Sequence, residues 1–127
     1  MSCATIDVQT FPLVVVVFED VTPTLESFRV DFLDSLQELL DNQRPFRLHV
    51  DTTRLRDVPM NVCVDIVRFM KKNRSLCKEY LEASAVIVSS VLILKLMDFV
   101  FTLSPPVSPN RVVRTAEEAT DFLNSVE

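Results

Sequence analysis

The sequence predicts an α/β protein with a single, mostly parallel sheet of four or five strands and about four helices. Short, β-branched apolar runs alternate along the chain with longer segments whose apolar residues recur at helical spacing. Strands and helices in alternation favour a parallel sheet built from right-handed crossovers. No repeat or low-complexity stretch divides the 127 residues, so we expect one domain, 1–127.

The strand predictions rest on three apolar runs and two weaker patterns. Leu13–Phe18, LVVVVF, is apolar throughout, as in a central strand. Phe46–Asp51, FRLHVD, alternates between apolar and polar residues, and residues 85–88, AVIV, predict a buried strand. Residues 5–10 and 111–114 predict an edge strand and a short last strand.

Caps and helical spacing predict the first helix. Thr22 followed by Pro23 indicates an N-cap with proline at the first helical position. Apolar residues at helical spacing should face the core, and these are Leu25, Phe28, Phe32, Leu36, Leu39 and Leu40. The opposite face carries an acidic stripe, Asp31, Asp34, Glu38 and Asp41, which we interpret as solvated rather than as a site for a basic partner.

Later helices have similar signals. Pro59 indicates the start of a second helix whose end is basic, and Asn73 is expected to bend or interrupt it. Thr115, with Glu118 three residues on, predicts a capping box for the last helix. Residues 104–109 contain three prolines and predict a stiff connection.

Val91–Leu103 predicts the most apolar helix. Its only polar residues, Lys95, Asp98 and Thr102, share one narrow stripe. A membrane span is disfavoured, because each charge costs roughly 2.5 to 3.5 kcal/mol at a bilayer centre. The narrow stripe leaves apolar surface to be exposed or covered by residues 104–109, and both alternatives stay open. If exposed, it would form an interaction surface that supports self-association: Leu92, Leu96, Phe99 and Val100.

Composition excludes several functions. A net charge of −5 and a pI near 4.9 disfavour nucleic-acid binding. The chain has no glycine, which excludes a P-loop, a G-x-G-x-x-G turn and a G-x-S-x-G nucleophile elbow. Helix breaks should therefore use Asn42, Asn73 and Asn110. No secretory signal is evident, and three cysteines without a C-x-x-C pair favour free thiols in the cytoplasm.

Few residues suggest chemistry, and we predict no catalytic residue, cofactor or metal site. His49 is the only histidine and shares a strand face with Asp51, but an isolated pair rarely forms an active site. One histidine and scattered cysteines do not supply a zinc site. Small polar residues follow three strands where α/β sites usually lie, although turn formation explains them equally well. This candidate rim comprises Asp20, Asp51, Thr52, Thr53, Ser89 and Ser90.

The chain resembles the STAS domains, in particular the stand-alone SpoIIAA-like branch. The resemblance rests on A-x-A-V-I-V-S-S from Ala83, the apolar helix that follows, the proline-rich link and a V-x-x-T-x-E-E-A-x-x-F-L ending. His49-Val50-Asp51-Thr52-Thr53 is similar to the family's strand that ends in Asp and small polar residues. The resemblance implies a β-α superhelix with helices largely on one side of the sheet. The motifs are loose and cover most of the chain.

The resemblance also implies a function. Members bind proteins or small molecules and are not typically catalytic. The family's D-x-S-G phosphorylation motif has no counterpart, because Asp57 is followed by Val58, Pro59 and Met60. We therefore expect a non-enzymatic, regulatory interaction module that binds a protein partner or itself. The alternative is a carrier or sensor of a lipid or other small apolar ligand, and an enzyme is a distant third.

Overall fold

The computed structural model describes residues 2–126, and its centre is one five-stranded sheet with the consecutive order β1-β2-β3-β4-β5. The strands are β1 (Ala4–Asp7), β2 (Leu13–Phe18), β3 (Phe46–Asp51), β4 (Leu81–Ile87) and β5 (Asn110–Val113). β1 is antiparallel to β2, and the other neighbouring strands are parallel. The prediction of a mostly parallel sheet in an α/β fold is confirmed.

The helical segments are α1 (Leu25–Phe28), a π-helical segment (Arg29–Leu33), α2 (Asp34–Asp41), α3 (Met60–Lys72), α4 (Arg74–Tyr80), α5 (Val91–Leu103) and α6 (Ala116–Ser125). With the first three counted as one continuous helix, the described residues contain five helices. This is one more than expected, because α3 ends at Asn73. The Asn73 side chain donates a hydrogen bond of 3.1 Å to the carbonyl of Phe69 and remains buried at the break.

The consecutive strand order places the crossover helices on one face of the sheet. That face contributes Val14, Val16, Leu48, Val50 and Val86 to the larger core, which α1 to α5 cover. The opposite face has a smaller core in which α6 packs on alternate residues of β4: Ala83, Ala85 and Ile87. The two alanines leave room for α6, and the Arg47 guanidinium donates to the carbonyl of Leu123.

β4 begins four residues before the predicted strand. Glu82 and Ser84 interrupt the apolar pattern, so the sequence does not indicate the first half of β4. The backbone is nevertheless held in the ladder by β3, with Arg47 opposite Ala83 and Leu48 opposite Ser84. Ladder pairing with a central strand thus outweighs the local polar residues.

The predicted cap of the first helix is wrong by two residues. Thr24, not Thr22, is the N-cap: its hydroxyl accepts from the Ser27 N–H at 3.1 Å, and the Ser27 hydroxyl accepts from the Thr24 N–H at 2.9 Å. Pro23 is buried before the cap instead of occupying the first helical position. A serine replaces the Glu or Gln of the usual capping box, so the sequence pattern did not indicate it.

A π turn changes the phase of this helix. The Asp34 N–H donates to the carbonyl of Arg29, five residues earlier. The additional residue brings Leu33 into the core beside Phe28 and Leu36, whereas Phe32 is only half-buried. Asp31 leaves the solvated acidic stripe and accepts a hydrogen bond of 2.7 Å from the Cys3 N–H.

The break after α2 uses an unexpected residue. Gln43 has a φ of 57°, the left-handed conformation that favours glycine, whereas Asn42 keeps a helical φ of −68°. Asn42 is the C-cap of α2, so the helix breaks where predicted, and the next residue takes the left-handed conformation. Asn110 lies in β5, where its side chain donates to the Ser84 hydroxyl at 2.6 Å.

Candidate functional site

The candidate rim lies at the carboxyl edge of the sheet, and its side chains are used by the loops themselves. Asp51 Oδ1 accepts from the N–H and hydroxyl of Thr53 at 2.8 and 2.7 Å. The buried Thr52 hydroxyl donates to the carbonyl of Ile87 at 2.6 Å, linking β3 to β4. Ser89 donates to the carbonyl of Thr53, and Ser90 caps α5. Turn and cap formation therefore accounts for these five residues.

Asp20, the sixth rim residue, is neutralised by a partner that sequence reasoning missed. Its carboxylate lies 3.1 Å from Nε of Arg56, and the neighbouring Glu19 lies 3.2 Å from a guanidinium nitrogen of Arg54. These arginines follow β3 in the chain, so only the parallel pairing of β2 and β3 places them beside Glu19 and Asp20. Within residues 2–126 no cluster of His, Cys, Asp or Glu has the arrangement of a metal site.

His49 and Asp51 share a strand face but are not hydrogen-bonded to each other. Asp51 Oδ1 is taken by Thr53, and the buried Nδ1 of His49 has no hydrogen-bond partner in the described part of the chain.

The outer surface of α5 is partly apolar and exposed, which is one of the two alternatives that the sequence left open. Leu92 is 46% exposed and Phe99 37%. Leu96 is half-buried against the larger core, and Val100 is buried at 6%. Val100 therefore does not belong to the exposed surface. It lies one turn after Leu96 and two turns after Ile93, on the side of the helix that faces the core. Leu103, one turn after Phe99, is also exposed.

The proline-rich link does not cover Leu92 or Phe99. It turns towards α4 instead, where the Ser108 hydroxyl donates to the carbonyl of Cys77 at 2.9 Å. Ser104 is buried at the end of α5, and residues 104–108 line one end of an internal cavity. The link therefore borders the space between α4, α5 and the sheet.

This cavity is the main feature that the sequence did not reveal. It has a volume of about 230 Å³ and lies between the sheet and the helices of the larger core. Its walls are almost wholly apolar. Representative lining residues are Leu48, Val50 and Val86 from the sheet, Phe28 and Phe32 from the first helix, Ile66 and Met70 from α3, and Ile93, Leu96, Met97 and Phe101 from α5.

An aromatic cluster forms the wall beside the π segment. Phe18 and Phe28 stack with ring centroids 5.8 Å apart, and Phe32 meets both rings edge-on at 5.2 and 5.3 Å. Edge-to-face and stacked rings at these distances attract one another beyond their simple burial. The three rings therefore form one continuous aromatic wall.

An ion pair fixes the same segment to α3. Arg29 Nε and Nη2 donate to the two carboxylate oxygens of the buried Asp65 at 2.7 and 2.9 Å. These hydrogen bonds hold the pKa of Asp65 below its usual value, with a smaller contribution from Arg68. Bidentate pairs of this kind are among the stronger ones in proteins, so the π segment and α3 are held at a fixed separation.

The three cysteines are free, and two of them line the cavity. Cys63 is buried and Cys77 is half-buried, both in its wall, whereas Cys3 is buried elsewhere. Burial raises the pKa of each thiol. The thiols are therefore poor nucleophiles at neutral pH, and Cys63 and Cys77 are natural reporters of cavity occupancy.

No helix within residues 2–126 has the length and apolar character to cross a bilayer. Comparison with protein-family models, curated proteins and solved structures finds no significant match to this chain.

Proposed function

We propose that this protein is a non-enzymatic binding module that holds a small apolar molecule in the cavity between its sheet and helices. The cavity is the observation that carries this proposal. Interiors of proteins are normally close-packed, with few voids larger than a water molecule. A void of about 230 Å³ in the main core therefore calls for an occupant.

Energetics support an occupied cavity. At about 24 cal/mol per Å³, the value for closed core cavities, an empty volume of this size corresponds to an upper limit of roughly 5 to 6 kcal/mol of lost stability. That approaches the whole stability of a typical domain, about 5 to 15 kcal/mol. Water is a poor occupant, because apolar cavities stay dry and bind small hydrocarbons instead.

The fold agrees with this role without identifying a family. A single sheet with four of its five helices on one face is what the STAS resemblance implies, and the resemblance itself remains a proposal. Such modules bind proteins or small molecules, and a carrier or sensor of an apolar ligand belongs to that range. Three free thiols support a reducing location such as the cytoplasm.

Decanol, a neutral apolar probe, tests the proposal. Protein stripped of bound lipid should melt at a higher temperature with decanol than without it, since a ligand that binds only the folded state stabilises that state. Decanol should also slow the alkylation of Cys77 at pH 9 and leave that of Cys3 unchanged, because Cys77 lines the cavity and Cys3 does not. Equal alkylation rates with and without decanol, together with an unchanged melting temperature, would refute the proposal.

A second candidate function is self-association through α5. Leu92, Leu96, Phe99 and Leu103 follow one another at intervals of four, three and four residues, as in a helix that pairs with another helix. Lys95 and Asp98 are exposed beside this stripe, and in an antiparallel pair each can face the opposite charge of the second copy. A two-fold contact between copies is the simplest way to bury this surface.

Light scattering with charged substitutions tests self-association. Leu92→Glu and Phe99→Glu should dissociate an oligomer and leave the circular dichroism spectrum unchanged, because both side chains are exposed. Val100→Glu is the contrasting variant and should unfold the protein, since Val100 is buried in the core. A wild-type monomer at high concentration would exclude this second function.

A further inference from the structure

The exposed residues of the cavity wall indicate where the cavity meets solvent. Only three of its lining residues are exposed: Arg74 at the start of α4, and Pro105 and Pro106 in the proline-rich link. The hydrogen bond from Ser108 to Cys77 holds the link against α4, so these residues bound a common opening. A ligand that fills the cavity would end beside Arg74.

The surroundings of the opening are strongly basic. Residues 68–78 contain five Lys or Arg and no Asp or Glu, whereas the remaining chain has a net charge of −10. All five basic side chains are exposed. A local field of this sign attracts anions to an otherwise acidic protein.

Arg74 is available to a ligand. None of the ion pairs formed within residues 2–126 involves it. A guanidinium presents a planar fork of N–H donors that matches the two oxygens of a carboxylate. Among residues 2–126, Arg74 is also the only charged residue of the cavity wall, so it defines the position where an ionic group of a ligand would be matched.

The volume sets the length of the apolar part. A cavity of about 150 Å³ accommodates benzene, which has six carbons, and 230 Å³ corresponds on that scale to roughly nine carbons. The volume of an unbranched tail of eight to ten carbons therefore matches the volume of this cavity.

We propose that the ligand is a medium-chain carboxylate, whose tail fills the cavity and whose head group binds Arg74 at the opening. This inference rests on the proposed function and adds the class of ligand. Charge complementarity at the opening and the apolar interior together favour an anion with a hydrocarbon tail over a neutral hydrocarbon.

Calorimetric titration with decanoate and decanol at pH 7.5 separates the head group from the tail. Arg74→Leu should weaken decanoate binding by at least about tenfold, the effect expected for loss of a hydrogen-bonded charge. The same variant should change decanol binding less than threefold, because the tail contacts remain. Arg74→Lys keeps the charge without the fork and should give an intermediate decanoate affinity.

Lys78→Leu is the matched control. Lys78 is exposed on the same helix but does not line the cavity, so its loss should change the affinity for either probe less than threefold. Equal weakening of decanoate by Arg74→Leu and Lys78→Leu would overturn the assignment of Arg74. Decanol binding with no preference for decanoate would also overturn it and leave the apolar cavity intact. If neither probe binds wild type, the proposed function fails together with this inference.

Discussion

Adding one methylene to a wall of the cavity should stabilise the protein. Val50 and Val86 lie on neighbouring strands and both line the cavity. Val→Ile at either position keeps the β-branched shape that suits a strand. The new methyl group enters empty space, and it gains up to about 0.8 kcal/mol from burial of one methylene.

The expected shift in melting temperature is measurable. At about 2.1 cal/mol/K per residue, unfolding 127 residues has an entropy near 0.27 kcal/mol/K, so 0.8 kcal/mol raises the melting temperature by roughly 3 °C. Differential scanning calorimetry on protein without added ligand measures this. The same variants should bind decanol more weakly than wild type, because less volume remains.

Val14→Ile supplies the control on the same face of the same sheet. Val14 is fully buried but does not line the cavity, so its additional methylene must overpack the core. Overpacking typically destabilises a protein by about 1 to 3 kcal/mol, which lowers the melting temperature by roughly 4 to 11 °C. If Val50→Ile and Val86→Ile lower the melting temperature as Val14→Ile does, the space beside them is filled by protein and the reasoning is refuted.

Three further predictions concern single features of the fold. Asp65→Asn should lower the urea midpoint at pH 7, and the difference from wild type should vanish only below about pH 3.9, because Asp65 has its lowered pKa in the folded state. A constant difference down to pH 2 would contradict the ion pair. Gln43→Gly should stabilise the protein by up to about 1 kcal/mol in urea unfolding, since glycine adopts a positive φ without a Cβ clash, and a loss of stability would contradict this. All three cysteines should react with a thiol reagent in denaturant, and a native disulfide would be contrary evidence.

The sequence by itself determined the strands and helices with strong local signals. LVVVVF and FRLHVD became strands with the predicted limits, and Val91–Leu103 became a helix with the predicted limits. Their periodicity is unambiguous, and apolar runs of this kind have few alternatives within a packed domain. The cap at Thr115 is equally local, because its hydroxyl accepts from the N–H of Glu118 three residues later.

Only the tertiary structure decided the features that depend on distant residues. The π turn brings Leu33 into the core, and the ladder with β3 extends β4 over polar residues. Neither effect leaves a signal in local periodicity.

The environment of the candidate rim and the cavity also depended on distant residues, which is why the sequence could not describe either of them. Arg56 neutralises Asp20 across two loops, so the predicted rim is internally paired. The cavity depends on how far α3, α4 and α5 stand from the sheet, and that distance follows from the summed volumes of side chains far apart in the chain. In the sequence, Arg74 is one of several basic residues expected to be solvated. It becomes a candidate ligand-binding residue only because the fold places it in the same cavity wall as the proline-rich link.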